Sequence, residues 1–382
     1  MSGLVFLWLL LGLALLVAGA EGLVGGGVRL TRRLGVSPLV AGLTIVALGT
    51  SSPELAVGLG AVWSGSGEVA VGNAIGSNVF NTLCILGLAS LITPMIVLTE
   101  VLRRDVPVML AASLAPVLAG WDGQISRLEG ALLFGALLAY LAWLIHVARK
   151  NPDLVDVDEV AQKPVPPGKR WVAFDLARVV GGFVLLAVGS DLLVDAATQI
   201  ARSVGVSDLV IGLTIVGAGT GLPELAASLL AAWRGQRDVA VGNVVGSNIF
   251  NVLGILGASA AFGPAGAVLP FPPSVLGFDL PVMILASVAC LPLFFTGGRI
   301  SRPEGALLLG GYVLYVVATV LEAKGAGLPP WLVTALLWFA LPAVALGSVY
   351  TAWREAGRRL QQPPDKATPP DNAEAASKEP GN

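Results

Sequence analysis

Charged side chains are scarce in this sequence. Aspartate, glutamate, lysine and arginine make up 13% of its 382 residues, whereas hydrophobic residues make up 55%. Soluble domains carry about 25% charged residues, so the composition excludes an ordinary soluble domain. It predicts an all-α integral membrane protein, because a helix satisfies its own backbone hydrogen bonds in lipid.

Cysteine and histidine are also rare. Two cysteines, Cys84 and Cys290, lie in apolar stretches, and His146 is the single histidine. They give no disulfide framework or thiolate metal site, and one histidine cannot supply the ligands of a catalytic zinc. We therefore predict neither an enzyme nor a resident cofactor. The lipid bilayer is the expected surrounding, no nucleic-acid partner is predicted, and the oligomeric state is left open.

Long apolar stretches are what the chain does contain. A membrane-spanning helix needs about 20 apolar residues, and the sequence has eleven such stretches. They lie near residues 4–27, 38–63, 69–93, 105–121, 127–148, 174–198, 208–233, 239–263, 279–297, 303–322 and 329–351. The first is interpreted as a helix and not as a signal peptide, because it lacks a basic n-region.

Lysine and arginine give the predicted orientation. With the N-terminus outside and eleven alternating spans, 20 of the 23 basic side chains fall inside and three fall outside. One missed span would scramble this asymmetry. The sequence thus predicts a protein of the cell (inner) membrane whose N-terminus is outside and whose central linker and C-terminal tail are cytoplasmic.

The two halves of the chain repeat each other. Residues 42–90 align without gaps to the segment that begins at Gly212, with 29 of 49 positions identical at an offset of 170 residues. DVPVM at 105 matches DLPVM at 279, and RLEGALL at 127 matches RPEGALL at 302. Span 1 pairs with span 6 at the same offset of 170. Because five spans is an odd number, the second copy enters the membrane in the opposite orientation, as in many secondary transporters.

The repeat divides the chain into five predicted segments. They are a first five-helix repeat (1–148), a cytoplasmic linker (149–172), a second, inverted five-helix repeat (173–322), an extra transmembrane helix (323–351) and a disordered cytoplasmic tail (352–382). The linker is polar and proline-rich, and the tail has the low-complexity composition of a chain without a core.

Polar residues recur at matching places in both copies. The first copy reads GTSSPEL, with Thr50, Ser51 and Glu54, and the second reads GTGLPEL, with Thr220 and Glu224. The threonine and the glutamate are four residues apart, so they are expected on one helix face. The proline between them cannot donate a backbone hydrogen bond. It therefore frees carbonyl groups that need another partner in lipid.

The next helix of each copy adds hydroxyl and amide groups. GNAIGSNVFN places Ser77 and Asn81 four residues apart, and GNVVGSNIFN does the same with Ser247 and Asn251. Two carboxylates among neutral oxygens suit hard cations such as Ca²⁺ and Na⁺. Their charge is balanced by one Ca²⁺, by two or more Na⁺ or by protons, whereas an empty, ionised site would be costly in the membrane.

These paired motifs resemble the α-repeats of the cation/calcium antiporter superfamily, and especially those of prokaryotic sodium/calcium exchangers. The resemblance covers residues 4–322. It implies ten core helices, exchange of Ca²⁺ for Na⁺ by alternating access, and a pair formed by spans 1 and 6 that slides across the core. By position, it implies that the ions bind to Thr50, Ser51, Glu54, Ser77, Asn81, Thr220, Glu224, Ser247 and Asn251.

Two positions depart from the family pattern. Gly221 stands where the first copy has Ser51, and Asn251 stands where some members carry aspartate. The first departure is expected to weaken one Na⁺ position, and together they leave the stoichiometry open. H⁺/Ca²⁺ exchange on the same scaffold is therefore kept as an alternative. A cation channel is less favoured, because inverted repeats around paired acids predict obligatory exchange.

Overall fold

A computed structural model gives the architecture of the chain. It describes residues 3–33, 38–98, 101–150, 168–205, 211, 215, 217–295 and 298–324. The predicted eleventh helix and C-terminal tail, and most of the predicted linker, lie outside the described residues.

Helices make up almost all of the described chain. They are α1 (Gly3–Arg33), α2 (Leu39–Thr50), α3 (Ser52–Trp63), α4 (Gly67–Ile92), α5 (Val106–Ala119), α6 (Arg127–Lys150), α7 (Lys169–Ser203), α8 (Gly217–Gly219), α9 (Leu222–Trp233), α10 (Arg237–Phe262), α11 (Leu280–Phe295) and α12 (Arg302–Ala323). Six are each long and apolar enough to cross a membrane, or seven when the bent pair α2 and α3 counts as one span. The predicted class of helical membrane protein is confirmed.

Four two-residue strands join the two repeats. Strand β1 (Met95–Ile96) pairs antiparallel with β4 (Arg299–Ile300), and β2 (Gln124–Ile125) pairs antiparallel with β3 (Leu269–Pro270). The loop after the third span of one copy thus pairs with the loop after the fourth span of the other. Loops at these two different places in the repeat lie on the same side of a membrane only when the copies are inverted. The pairing therefore agrees with an odd number of spans in each repeat.

Helices α1 and α7, one from each repeat, pack antiparallel along a line of glycines. A Cβ atom added at Gly12 would lie 2.9 Å from the carbonyl oxygen of Gly189. One added at Gly19 would lie 2.8 Å from the carbonyl oxygen of Gly182. Any larger side chain would force the two backbones apart, so glycine at these places makes α1 and α7 a closely packed pair.

The same two helices are joined by an ion-pair cluster at one end. The Nε atoms of Arg29 and Arg33 lie 2.8 Å and 2.9 Å from the two carboxylate oxygens of Asp175, whose side chain is only 2% exposed. Both basic residues belong to α1 and the acid belongs to α7. Two guanidinium groups thus compensate the charge of one buried carboxylate.

Helices α4 and α10 form the centre of the molecule. The most apolar window of α10 is entirely buried, and Gly246 lets it approach α2 so closely that an added Cβ would lie 2.9 Å from that of Ala47. Each of the two helices is widened by a π-helical turn, Phe80–Ile85 in α4 and Phe250–Leu256 in α10. Such turns in α-helices are frequent at functional sites. Each of these turns begins with the last two residues, Phe-Asn, of the GNAIGSNVFN or GNVVGSNIFN motif.

Candidate cation-binding site

Each repeated glutamate lies in the first turn of a short helix. Glu54 begins α3 and Glu224 begins α9, and each follows a proline in that first turn. Proline is tolerated there because the first N–H groups of a helix have no intrahelical partner. The positive end of the helix dipole favours an ionised carboxylate. Both side chains are nevertheless buried, with relative exposures of 1% and 2%.

The first broken helix bends at Ser51. Helix α2 ends at Thr50, α3 begins at Ser52, and the two axes differ by 42°. Thr50 and Glu54 therefore belong to different helices, and the expectation that they share one face of a straight helix is wrong. The bend arises because Pro53 starts a new helix instead of interrupting an old one.

The carboxylates interact with hydroxyl groups of the opposite repeat. Ser51 donates a hydrogen bond of 2.8 Å to Oε1 of Glu224. Thr50 is also near the carboxylate of Glu224, and Thr220 is near that of Glu54, although Thr220 forms no hydrogen bond with it. Among the described residues, neither carboxylate oxygen of Glu54 has a hydrogen-bond partner. The two acids are thus equivalent in sequence but not in their surroundings.

Two asparagines that the sequence analysis missed hold the glutamate backbones. Asn73 donates a hydrogen bond of 3.0 Å to the carbonyl oxygen of Glu54. Its counterpart Asn243 donates to the carbonyl of Glu224 at 3.4 Å and to Ser228 Oγ at 2.8 Å. The signal was present, because both are the asparagine of the repeated Gly-Asn pair at the offset of 170 residues.

A second group of asparagines joins α4 to α10. Asn78 donates to the carbonyl oxygen of Asn248 at 3.1 Å, and Asn248 donates to Thr82 Oγ1 at 2.8 Å. Asn251 donates to Oδ1 of Asn78 at 3.0 Å. The amide nitrogen of Asn251 is therefore used to join the helices, while Asn81 has no hydrogen-bond partner for either amide atom.

Several buried oxygens of these helices have no hydrogen-bond partner. Apart from Ser259 Oγ near the end of α10, there are seven of them among the described residues: both carboxylate oxygens of Glu54, Oε2 of Glu224, Oγ of Ser247, and Oδ1 of Asn81, Asn248 and Asn251. Leaving such a group unsatisfied costs about 1–3 kcal/mol, and more if it is charged. All seven are oxygens that can coordinate a hard cation such as Ca²⁺ or Na⁺.

All nine residues predicted to bind ions lie on helices α2, α3, α4, α9 and α10 or directly next to them. Ser77 is 8% exposed and Thr220 is half-buried. The remaining seven are at most 2% exposed. A sequence-derived set spread over more than 200 positions is thus gathered into the buried centre of the fold.

A further pair of acids, of which Asp105 is buried and Asp279 half-buried, escaped the sequence analysis. Tyr140 donates a hydrogen bond of 3.0 Å to Asp105, and Tyr315 donates one of 2.9 Å to Asp279. The two aspartates are the first residues of the matching DVPVM and DLPVM segments. Their tyrosine partners lie on α6 and α12, so these pairs join outer helices to α5 and α11 rather than line the central site.

Inverted repeats whose inner helices carry buried acids are the architecture of membrane transporters. The sequence profile of the family described as "Sodium/calcium exchanger protein" matches residues 4–146 and 174–321 of the chain. The protein belongs to this family of Ca²⁺ antiporters, which confirms the predicted family.

Individual relatives agree with this assignment. The candidate antiporter CaxA of Alkalimonas amylolytica is 39% identical over 314 residues, which cover 81% of this chain and 96% of that protein. The sodium/calcium exchanger MaX1 of Methanosarcina acetivorans is 34% identical over 344 residues, covering 82% and 97% of the two chains. A solved structure of the sodium-calcium exchanger NCX_Mj, soaked with zero Na⁺ and Ca²⁺, has a TM-score of 0.70 and 32% identity, and covers 84% of this chain and 100% of the other.

Proposed function

We propose that this protein exchanges Ca²⁺ for Na⁺ by alternating access, and that both ions bind between Glu54 and Glu224. One observation carries the proposal. Two buried carboxylates, one from each inverted repeat, have oxygens without hydrogen-bond partners among neutral oxygens of the same helices. A transported cation provides the missing interactions and balances the charge.

Charge balance explains why exchange is favoured over uniport. Two carboxylates carry a charge of about −2, which one Ca²⁺ or two Na⁺ neutralise. Moving the empty, doubly ionised site through the membrane would expose uncompensated charge to a medium of low dielectric constant. The loaded forms therefore interconvert between the two sides more readily than the empty form, and this couples the two fluxes.

Each predicted residue has a role in this proposal. The carboxylates of Glu54 and Glu224 are shared by Ca²⁺ and Na⁺, and the neutral oxygens complete the six to eight ligands that Ca²⁺ prefers. The neutral groups are those of Thr50, Ser51, Ser77, Asn81, Thr220, Ser247 and Asn251. We propose no resident cofactor and no enzymatic reaction, since Ca²⁺ and Na⁺, or H⁺ in the alternative below, are the substrates.

The packing of α1 and α7 supports a way to alternate access. They form one glycine-lined pair that contacts the site helices from outside, and a rigid pair of this kind can slide as a unit. We propose that it does so across the core made by the remaining repeat helices. The proposal keeps the predicted segments, with the N-terminus outside and the linker (149–172) and tail (352–382) in the cytoplasm.

One observation favours H⁺/Ca²⁺ exchange as a second candidate. Both carboxylate oxygens of Glu54 are buried and accept no hydrogen bond from the described residues, whereas Glu224 receives a hydrogen bond from Ser51. A buried carboxylate without donors gains most from binding a proton. Glu54 is therefore the group at which H⁺ would replace Na⁺ as the coupling ion.

Purified protein in liposomes separates these candidates. Uptake of ⁴⁵Ca²⁺ is measured with an imposed Na⁺ gradient, with an imposed pH gradient, and with neither. Sodium coupling predicts uptake under the first condition. Uptake under the pH gradient alone would refute it in favour of proton coupling, and equal uptake without any counter-ion gradient would indicate a channel.

A further inference from the structure

An aromatic ring fills the space beside Gly221, in the turn between α8 and α9, whereas Ser51 places a hydroxyl group in the equivalent turn between α2 and α3. A Cβ atom added at Gly221 would lie 2.6 Å from both Cδ1 and Cε1 of Phe80. The ring is 7% exposed and packs edge-on against Tyr312, with 5.4 Å between the ring centroids. Phe80 therefore takes the space that a side chain at position 221 would need.

The equivalent position of the first repeat has a different environment. Ser51 carries both a Cβ and a hydroxyl there and is fully buried. Its hydroxyl is directed to Glu224 at 2.8 Å. An oxygen ligand therefore fits in the first repeat at the place that a ring edge fills in the second.

The two repeats also differ in the side chain that faces the carbonyl oxygen four residues before the proline-glutamate pair. Pro223 has no N–H to donate to the carbonyl of Gly219, and Ser190 of α7 donates to that carbonyl instead, at 2.6 Å. Ser190 is 6% exposed, so the bond is shielded from water. In the first repeat the corresponding carbonyl is that of Gly49, and the residue in the place of Ser190 is Ala20, which has no hydroxyl to offer.

We propose that Phe80 and Ser190 determine how many monovalent cations the site holds. In the second repeat, the ring of Phe80 occupies the position of a side chain at residue 221, and Ser190 occupies the carbonyl of Gly219. In the first repeat, the equivalent Ser51 hydroxyl and Gly49 carbonyl stay available to coordinate an ion. Beyond the cations that the two shared carboxylates hold, a further monovalent cation is then coordinated on the Ser51 side alone. This inference rests on the proposed exchange function and assigns its stoichiometry to two residues outside the predicted ligand set.

The first test exchanges the hydroxyl between the repeats. Efflux of Ca²⁺ from proteoliposomes is measured against external Na⁺ for Ser190→Ala and Ala20→Ser. Ser190→Ala frees the Gly219 carbonyl and is expected to lower the half-saturating Na⁺ concentration about three- to tenfold, which corresponds to one hydrogen bond. Ala20→Ser is expected to raise it by a similar factor. Ser203→Ala removes an exposed hydroxyl of the same helix and serves as the matched control.

The second test opens the space beside Gly221. The double variant Phe80→Ala/Gly221→Ser is expected to raise the Hill coefficient for Na⁺ by about one, because one more oxygen ligand enters the site. Gly221→Ser alone is not expected to raise it, since the ring still blocks the position. Phe250→Ala removes the matching ring of the other repeat and is expected to leave the Hill coefficient unchanged.

Ca²⁺/Ca²⁺ exchange without Na⁺ shows that each variant is folded and loads Ca²⁺. If wild-type protein shows no Na⁺-driven exchange, the proposed function fails. If wild-type protein exchanges normally and every variant keeps the wild-type Na⁺ dependence, the inference about Phe80 and Ser190 is overturned while the function stands. Should the double variant lose Ca²⁺/Ca²⁺ exchange, the reciprocal pair Ser190→Ala and Ala20→Ser decides the question.

Discussion

The two halves of the site come from nearly identical sequences and yet differ in what surrounds each acid. Glu224 accepts a hydrogen bond from Ser51 of the other repeat, while both carboxylate oxygens of Glu54 are without a donor. The difference follows from one substitution, glycine for serine at position 221, together with the ring that packs against it. Inverted symmetry therefore supplies two carboxylates, and the local departure from that symmetry gives them different surroundings.

The largest expected effect is the loss of either carboxylate. Glu54→Gln and Glu224→Gln keep the shape of the side chain and remove its charge, so each leaves Ca²⁺ with half of its charge compensation. We expect ⁴⁵Ca²⁺ uptake to fall at least about 100-fold in both. Stabilisation by Ca²⁺ in a thermal unfolding assay, about 2.7 kcal/mol at 100 times Kd, should disappear as well.

A matched control is available for this first comparison. Glu68 lies in the first turn of α4, as Glu54 does in α3, but it is exposed. Glu68→Gln should therefore transport Ca²⁺ normally. Wild-type transport in either of the two site variants would show that the acids are structural and would remove the proposed site.

Ser51→Ala is expected to have the next largest effect, because it makes the two acids alike. The variant takes from Glu224 the donor that Glu54 already lacks. A buried charged acceptor that loses a hydrogen bond is destabilised by about 1–3 kcal/mol. Because the lost hydroxyl is also a proposed Na⁺ ligand, the half-saturating Na⁺ concentration should rise about tenfold or more in liposome assays.

Ser52→Ala is the control for this substitution. The hydroxyl of Ser52 is one residue away but donates to the carbonyl oxygen of Leu48 at 2.6 Å, across the bend between α2 and α3. It should leave the Na⁺ dependence unchanged. Equal effects of Ser51→Ala and Ser52→Ala would mean that the bend of the helix matters and the hydroxyl at the site does not.

Much of this arrangement follows from the sequence, and the reason is physical. The repeat, the odd number of spans and the acids in apolar segments are properties of composition and spacing, which a membrane constrains strongly. The contacts of Asn73, Asn243 and Ser190 depend on which helices cross. No local pattern specifies that crossing, so their roles appear only in three dimensions.

The bend at Ser51 shows why the expected helix face shared by Thr50 and Glu54 is wrong. Spacing alone places Thr50 and Glu54 on one helix face, and that inference assumes a continuous helix. Proline has two acceptable positions, inside a kinked helix or in the first turn of a new one. The surrounding helices favour the second, and the sequence of the segment does not distinguish between them.

Asn73 and Asn243 give a smaller difference between the two repeats, which can also be tested. Asn243 bonds to the backbone of Glu224 and to Ser228, and the hydroxyl of Thr50 lies 3.4 Å from its side-chain oxygen. Asn73, among the described residues, makes only the one side-chain bond to the backbone of Glu54. Asn243→Ala should therefore lower the apparent Ca²⁺ affinity more than Asn73→Ala, by about tenfold against about threefold. An effect of equal size in both, measured by ⁴⁵Ca²⁺ uptake, would contradict the asymmetry.

Stability should be asymmetric between the two ends of the α1–α7 pair. The positions equivalent to Asp175, Arg29 and Arg33 in the other repeat are Val5, Gln199 and Ser203, so only one end carries the charge cluster. Asp175→Asn leaves two arginines without their shared carboxylate and should cost about 1–2 kcal/mol of stability. This lies below the usual value for a buried pair because Arg29 is 34% exposed. Asp195→Asn, an exposed change on the same helix, should leave the thermal unfolding of detergent-solubilised protein unaltered.

The smallest expected effect concerns the ion pair between α1 and the segment after α9. Arg234 Nη2 lies 2.8 Å from Glu21 Oε1, and both side chains are largely accessible, at 32% and 51% exposure. Their counterparts are Ser64 and Asp191, so the other repeat has no such pair. If α1 moves relative to α9 during transport, this contact restrains it on one side only.

Because exposed ion pairs contribute little, Glu21→Gln should change the maximal exchange rate by less than about fivefold. The half-saturating Ca²⁺ concentration should stay constant, since Glu21 is not part of the site. High salt should reduce the difference from wild type, because the pair is screened. Ser64→Arg offers Asp191 a partner and should slow exchange in the same assay if both ends of the pair move. An unchanged rate in both variants would show that the contact does not restrain the motion.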